Sequence, residues 1–395
     1  MNEHTKYAAN IKYYTAYRFF WCMLIIGPVL TPYMRYKGLN YSEIMLLQSI
    51  AAVSVVLFEI PTGTVADRIS RKLSLLFSGA FIGIGLLIYI QFHTFAMFAL
   101  GEFLFGLGLT FGSGADSALL YESLKKLGRE EEYTRIEGRV AAYIFGGQGV
   151  GSVVSSLLYT LNPDLPFWVS VVNAFIAAGI TLGFLETNRE KSDHRYHIHV
   201  FRSLNIALKT PRILWAILLA MLMGFAARSG FWLYEPYFRR VSIDVAWYGT
   251  VFLFFNIIAA LSAKYLAHRY PKPRKVLLGL GLILAVSFVL PAVFVVPWAV
   301  VLIGLQQIVR GMYRPTLNAY INRQIEDRYR ATVISIVSLS ASLSFALLSP
   351  VVGLSLDHLG TIHTYTWMGT VTLGGILLLM LLRKVQVLHQ QARAA

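Results

Sequence analysis

The ten residues Gly63-Thr64-Val65-Ala66-Asp67-Arg68-Ile69-Ser70-Arg71-Lys72 form a short polar segment between two long apolar runs. The run before it covers 42–66 and so shares residues 63–66 with the segment. The run after it covers 73–92. A helix that crosses the core of a bilayer needs about 20 mostly apolar residues. The segment, which holds one acid and three basic residues, is therefore predicted to be a loop that joins two membrane helices.

The same pattern of long apolar runs repeats along the whole chain of 395 residues. Its residues are 56% hydrophobic and 14% charged, whereas soluble domains are about 45–50% apolar and about 25% charged. Continuous runs of this length also argue against the alternating strands of a membrane barrel. Twelve membrane spans are predicted, at 13–34, 42–66, 73–92, 94–123, 134–161, 165–186, 211–238, 244–268, 276–294, 297–321, 331–357 and 361–382.

The net charge of +15 would by itself indicate a nucleic-acid surface, but the basic residues sort by predicted side of the membrane. With twelve spans, one side holds the two tails and most of the 35 Lys and Arg. The other side holds only Arg35, Lys37, Arg239 and Arg240. The basic side is the cytoplasmic one by the positive-inside rule. We therefore expect a multi-pass protein of a bacterial-type inner membrane with both termini in the cytoplasm, and no nucleic-acid partner.

A weak internal repeat divides the chain into halves. Pro32-Tyr33-Met34-Arg35 ends the first span and Pro236-Tyr237-Phe238-Arg239 ends the seventh. The sequence predicts a six-helix bundle at 1–187, a cytoplasmic linker at 188–210 and a second six-helix bundle at 211–395, the parallel-repeat arrangement of one large transporter class. The linker contains His194, His197 and His199; a solvated basic loop is the expectation for them, and metal binding is the alternative.

The segment 63–72 resembles the signature loop of the major facilitator superfamily, with Ser70 where glycine is usual. The stretches 58–63, 113–123, 133–139 and 330–332 narrow the resemblance to bacterial drug:proton antiporters and related small-molecule exporters. The run Gly146–Gly151 lacks the proline that those antiporters carry, so tight helix packing is the alternative reading of that run.

The resemblance implies a gate at the cytoplasmic side. Asp67 is expected to dock at the start of the eleventh span, near 330–332. The three basic residues after it are expected to meet acids at the end of the fourth span. The predicted gating residues are Gly63, Asp67, Arg68, Arg71, Lys72, Asp116, Glu122 and Arg139.

Charged side chains inside the spans are the candidate transport residues, because each is costly in a bilayer. The resemblance implies that spans 1, 4, 7 and 10 line a central cavity. The predicted cavity residues are Arg18, Trp21, Glu102, Arg228, Trp232, Arg310 and Arg314. Pairing within the protein or snorkelling to an interface is the alternative for the arginines. Glu102, followed by Glu59, is the candidate for proton coupling, since burial favours the protonated carboxyl.

These observations predict a monomeric, non-enzymatic transporter without a cofactor, which exports a small organic molecule in exchange for protons. Four arginines against one acid favour an anionic or zwitterionic substrate. An importer or facilitator of an anionic nutrient is the first alternative, and a non-transporting receptor or scaffold is the second. The chain has no phosphate-binding loop of the GK[ST] kind, which argues against ATP-driven transport.

Overall fold

The computed structural model describes residues 3–186, 210–265, 272–325 and 327–394, and no strand occurs in these ranges. The chain divides into two compact units. The first unit holds the described residues of Met1–Asp193 together with Asp244–Leu253, and the second holds those of His194–Ile243 and Phe254–Ala395. Nearly all of the predicted linker, with its three histidines, lies outside the described residues, so the predicted limits of the bundles stay predictions.

Eight helices lie in residues 3–186, the N-terminal part of the first unit that the structure describes. They are α1 (Glu3–Cys22), α2 (Leu30–Tyr36), α3 (Tyr41–Arg68), α4 (Arg71–Gln91), α5 (Phe95–Gly112), α6 (Ala115–Lys126), α7 (Tyr133–Leu161) and α8 (Leu165–Thr181), with 3-10 turns at Gly27–Val29 and Glu130–Glu132. Helix α4 packs against both α5 and α8. Glycines permit this contact, since a Cβ at Gly85 would lie 2.8 Å from the carbonyl oxygen of Gly101.

Seven helices follow in the described residues of the second half of the chain. They are α9 (Pro211–Trp232), α10 (Tyr234–Arg240), α11 (Val245–Tyr265), α12 (Pro273–Val293), α13 (Val300–Asn322), α14 (Asp327–His358) and α15 (Gly360–Ala394), with a 3-10 turn at Pro297–Ala299. Within the second unit, α9 packs against α14, and α12 packs against α13 and α15. The first residues of α11 belong to the first unit.

By length and composition, nine helices in the described ranges are able to cross a membrane. They are Tyr41–Arg68, Arg71–Gln91, Phe95–Lys126, Glu130–Leu161, Pro211–Trp232, Val245–Tyr265, Pro273–Val293, Thr332–His358 and Gly360–Leu382. Large apolar side chains point outward from several of them, including Leu161, Trp247 and Leu347, as expected for surfaces solvated by lipid. The predicted all-helical class of long apolar spans is confirmed.

The first, sixth and tenth predicted spans are helical but do not meet the same criteria. Helix α8 is 17 residues long. Helix α13 has the length but carries Arg310 and Arg314 together with Gln306 and Gln307, which lower its hydropathy. The first predicted span, 13–34, is not continuous: α1 ends at Cys22, and four residues separate it from the turn at Gly27–Val29.

Side chains from two neighbouring helices satisfy the backbone at this interruption. The Nδ2 of Asn173 donates to the carbonyl of Met23 at 2.8 Å, and the Nε2 of Gln148 donates to that of Cys22 at 3.2 Å. The backbone N–H of Ile25 donates to Ser170 Oγ at 3.2 Å. Non-helical backbone is tolerated at membrane depth only when such partners exist, so the prediction of one unbroken span failed where distant residues replace the helical hydrogen bonds.

The glycine run of α7 lies against the same interruption. A Cβ at Gly147 would lie 2.8 Å from Met23 Sδ, and a Cβ at Gly151 would lie 2.6 Å from Ile25 Cγ2. Nothing lies within 4 Å of a Cβ at Gly146. Two of the glycines therefore allow α7 to approach the irregular segment, which is a packing role.

The predicted fourth and seventh spans are each built from two helices. The fourth changes direction at Gly114, whose φ of 74° is a conformation that glycine adopts without strain. The seventh is divided at Leu233, between α9 and α10. The sequence analysis treated both as single runs.

Candidate functional site

The signature segment forms the junction between α3 and α4. Arg71 Nη1 lies 2.6 Å from Glu122 Oε1 at the end of α6, and its Nη2 lies 3.9 Å from Asp67 Oδ1. The Asp67 side chain is 75% exposed. Arg71 thus meets one of the two acids expected for it. The docking of Asp67 near 330–332 concerns both units and stays a prediction.

Glu186 closes the N-terminal end of α4. Its carboxylate accepts the backbone N–H of Arg71 at 3.0 Å and that of Lys72 at 3.1 Å. These are N–H groups that a helix leaves without partners at its start, and a negative charge is favourable there. The sequence analysis did not single out Glu186; the available signal was an acid at the last residue of the sixth predicted span, 165–186.

Lys72 departs from the expectation that it meets an acid of the fourth span. Its Nζ donates to the carbonyls of Leu182 at 2.7 Å and Phe184 at 3.1 Å. These carbonyls follow the last turn of α8, where cations bind favourably. The remaining predicted gating positions are Gly63, half-buried in α3, and Arg68 and Arg139, both exposed.

Asp116 pairs with a different arginine from those expected. Arg18 Nη1 donates to Asp116 Oδ2 at 2.7 Å, and the N–H of Ser117 donates to Asp116 Oδ1 at 2.7 Å. The Asp116 side chain is 9% exposed and that of Arg18 is 26% exposed. Arg18 was predicted to line a cavity and Asp116 to serve a gate, so the structure joins two sites that the sequence analysis had kept apart.

Aromatic and acidic side chains surround this pair. The guanidinium of Arg18 lies 5.7 Å from the ring centroid of Trp21, whose Nε1 donates to Ser78 Oγ at 2.9 Å. One turn before Arg18, Tyr14 OH donates to Glu137 Oε1 at 2.5 Å. The sequence analysis did not name Glu137 as a candidate site residue, although it lies in the stretch 133–139 that carries the family resemblance.

Glu102 lies inside the first unit with neutral partners. It is 5% exposed. Its Oε1 accepts hydrogen bonds from Gln48 Nε2 at 2.6 Å and from Tyr89 OH. The second coupling candidate, Glu59, is half-buried, and its Oε1 accepts from Ser113 Oγ at 2.9 Å.

The three arginines predicted inside spans of the second unit, Arg228, Arg310 and Arg314, differ from Arg18, because none of the three forms an ion pair with an acid among the residues that the structure describes. Arg228 lies with its guanidinium carbon 4.5 Å from the Phe345 ring centroid and its Nη1 3.4 Å from Ser342 Oγ. Arg310 Nη1 donates to Gln307 Oε1 at 3.2 Å. Both side chains, and that of Arg314, belong to exposed residues.

A buried polar chain continues from Arg310 into α10. Gln307 Nε2 donates to Tyr234 OH at 2.8 Å, and Tyr234 OH donates to Gln306 Oε1 at 3.0 Å. Gly230 leaves the space for this chain, since a Cβ there would lie 2.4 Å from Gln306 Oε1. The sequence analysis missed both glutamines, although two adjacent amides in an apolar run are a visible signal.

Two further residues of the second unit, Glu235 and Trp232, are nearly buried. Glu235 is 7% exposed and lies in the predicted span 211–238, but it was not recognised as a membrane charge. Trp232, a predicted cavity residue, is 8% exposed and packs edge-on against Phe231 at 5.3 Å between centroids.

The arrangement of helices and charges can be compared with known proteins. The family model described as "Major Facilitator Superfamily" matches residues 19–244 and 241–394. The chain belongs to the major facilitator superfamily. It is 23% identical to sucrose permease of Escherichia coli, over 87% of this chain and 85% of that protein. It is 21% identical to the uncharacterized transporter YxaM of Bacillus subtilis (strain 168), over 84% and 87% of the two chains.

Solved structures of other transporters share the fold. The nucleoside transporter NupG, in a mutant form, superposes with a TM-score of 0.80 over 94% of this facilitator and 99% of NupG, at 15% identity. A peptide transporter of the POT family in complex with sulfate gives a TM-score of 0.72 over 96% and 94% of the chains, also at 15% identity. This facilitator is thus a multi-pass membrane transporter rather than an enzyme. The resemblance to drug:proton antiporters in particular remains an expectation.

Proposed function

We propose that this facilitator moves a small organic anion or zwitterion across the membrane by alternating access, in a proton-coupled cycle. The observation that carries the proposal is that Arg228 and Arg310 lie within spans of the second unit, are exposed, and contact only neutral groups among the described residues.

The cost of placing these groups supports the proposal. A guanidinium near the centre of a membrane helix costs at least about 2.5–3.5 kcal/mol on insertion scales. An arginine that pairs with an acid, as Arg18 does with Asp116, recovers part of that cost. Arg228 and Arg310 instead keep donors that suit a carboxylate or phosphate, which arginine binds through two parallel hydrogen bonds.

Two nearly buried carboxyl groups of the first unit support proton coupling. Glu102 and Asp116 are 5% and 6% exposed. A carboxyl group at such a position can hold a proton in one access state and lose it in another. Glu59 remains the third candidate.

The direction of transport has two candidates. The resemblance of the sequence favours export, whereas relatives named as a sucrose permease and a nucleoside transporter favour uptake. In either case we propose that both termini lie in the cytoplasm of a bacterial-type cell, that the inner membrane is the site, and that the monomer is the functional unit.

The test is transport into and out of proteoliposomes with an imposed pH gradient and a pH dye inside. The panel contains monocarboxylates, amino acids, organic phosphates, sucrose and nucleosides. We expect anions or zwitterions to move with protons, and Arg228→Gln and Arg310→Gln to reduce their transport at least 10-fold. Arg240→Gln is the control, because Arg240 is exposed at the end of α10.

Two outcomes contradict the proposal. If sucrose or nucleosides move and every anion does not, the substrate class is wrong. If no member of the panel moves although the protein is folded, the receptor or scaffold alternative gains instead.

A further inference from the structure

We propose that Asp116 and the transported anion alternate as partners of Arg18, so that one proton enters Asp116 for each anion that Arg18 binds. This inference rests on the proposed anion transport and adds to it a coupling residue and the relative direction of proton and anion.

The geometry leaves Arg18 able to take a second partner. Asp116 uses Nη1 of the guanidinium at 2.7 Å. The Nε of Arg18 is buried and has no hydrogen-bond acceptor among the described residues. The side chain is 26% exposed, so the ion pair with Asp116 does not enclose it. An anion that displaces Asp116 from Nη1 can bind Nη1 and Nη2 at once.

The surroundings of Asp116 make that displacement depend on a proton. Its own side chain is 9% exposed. Among the described residues, the titratable groups that act on it are Arg18, Tyr14, Tyr17 and Cys22 on α1 and Tyr133 and Glu137 on α7. Glu137 is a second acid, bound to Tyr14. Arg18 is the ion-pair partner found for Asp116 among the described residues. A nearly buried carboxylate that loses such a partner beside another acid is strongly disfavoured, and taking up one proton removes its charge.

The exchange balances as one proton and one anion. The carboxylate of Asp116 becomes a carboxylic acid, the cargo anion takes its place on the guanidinium, and no covalent bond other than O–H forms. Proton and anion therefore travel in the same direction, and a monoanion moves without net charge. Glu102 cannot act in this way, because its direct partners Gln48 and Tyr89 are neutral and release no cation when it is protonated.

The first experiment uses the full chain in proteoliposomes with acetate, lactate, benzoate and inorganic phosphate as probes. In the wild type we expect a proton gradient directed into the vesicles, with the acidic side outside, to drive accumulation of a transported probe. In Asp116→Asn we expect the probe to move down its own gradient, with gradient-driven accumulation reduced at least 10-fold. The matched control is Glu132→Gln, which removes the acid of the exposed Arg129–Glu132 pair in the loop before α7.

A charge exchange separates this role from a purely structural pair. The double variant Arg18→Asp with Asp116→Arg keeps an ion pair at the same place but leaves no guanidinium on α1. We expect its melting temperature to stay near that of the wild type while transport of every probe is lost. If the pair were purely structural, the double variant would recover transport as well as stability.

The outcomes are distinct. Proton-driven accumulation that persists in Asp116→Asn, or transport that returns in the double variant, overturns the exchange on Arg18 but leaves anion transport standing. If proton-driven accumulation of the probe is lost in Glu102→Gln and retained in Asp116→Asn, Glu102 is the proton-coupling residue and the exchange on Arg18 is wrong. A wild type that carries none of the anions overturns both proposals.

Discussion

Ser70 Oγ donates a hydrogen bond to Glu186 Oε2 at 2.5 Å and thereby joins the loop before α4 to the residues after α8. The same hydroxyl accepts the backbone N–H of Leu73 at 2.9 Å, so Ser70 is the N-cap of α4. These two contacts explain why serine occupies a position where the superfamily usually has glycine. The signature loop of this chain is stabilised by a side-chain cap and an acid contributed from another helix.

Replacing Ser70 should therefore weaken the first unit. Ser70→Ala removes the cap and the donor to Glu186, and loss of an N-cap costs about 0.5–2 kcal/mol. We expect a lower midpoint in thermal unfolding of the detergent-solubilised protein. Ser70→Gly should lose less, because glycine is tolerated at an N-cap. The control is Thr64→Ala, whose hydroxyl is exposed and bonds only to its own helix; equal melting of Ser70→Ala and Thr64→Ala would contradict the assignment.

The glycines of α7 should differ in their tolerance of a methyl group. Gly151→Ala places a Cβ 2.6 Å from Ile25 Cγ2, whereas Gly146→Ala places one in open space. Overpacking costs about 1–3 kcal/mol, so Gly151→Ala should lower the unfolding midpoint and Gly146→Ala should not. The two variants are matched in helix and chemistry. Equal stability would mean that the interrupted segment of the first span shifts freely.

The interruption itself should depend on Asn173. Asn173→Leu keeps the volume of the side chain but removes the donor to the Met23 carbonyl. A buried carbonyl without a partner costs about 1–3 kcal/mol. We expect a lower unfolding midpoint and faster backbone hydrogen exchange at residues 23–26. Asn322→Ala, at an exposed position, serves as the control, and unchanged exchange at 23–26 would show that another donor replaces Asn173.

The sequence predicted the helices well because membrane spans depend on local hydropathy. The breaks at 23–26, at Gly114 and at Leu233 were not predicted, since each depends on partners that lie far away in the sequence or on one backbone conformation. Asn173 is 150 residues from the carbonyl that it binds. Such a pair has no local signature in a single sequence.

The candidate site was predicted in its residue types rather than in its contacts. A charge in a span is visible in the sequence, so Arg18, Arg228 and Arg310 were found. Whether an arginine has an acidic partner depends on helix packing, and only the structure distinguishes Arg18, paired with Asp116, from Arg228, stacked on Phe345. Glu235 and Glu137 were not predicted as site residues, because each lies near the end of a predicted span, where an acid is ordinary.

Lys37 offers a last prediction, at the opposite end of the first unit from the signature loop. Although it was predicted only as a basic loop residue, its side chain is 4% exposed. Its Nζ donates to the carbonyl of Ile90 at 3.1 Å and lies 3.4 Å from Asp164 Oδ1. Tyr33 OH donates to the same carboxylate oxygen at 2.6 Å. Lys37 therefore ties the turn after α2 to the end of α4 and the start of α8.

Lys37→Met keeps most of the apolar stem and removes the charge. It should lower the free energy of unfolding by about 1–3 kcal/mol, because the Ile90 carbonyl loses its donor and Asp164 its cation. Lys125→Met, at an exposed position of α6, is the control. Adding Asp164→Asn to Lys37→Met removes the unpaired carboxylate and should recover part of the loss, a coupling that a double-mutant cycle measures. Additive effects of the two substitutions would show that the ion pair contributes nothing and that the carbonyl contact alone explains the burial of Lys37.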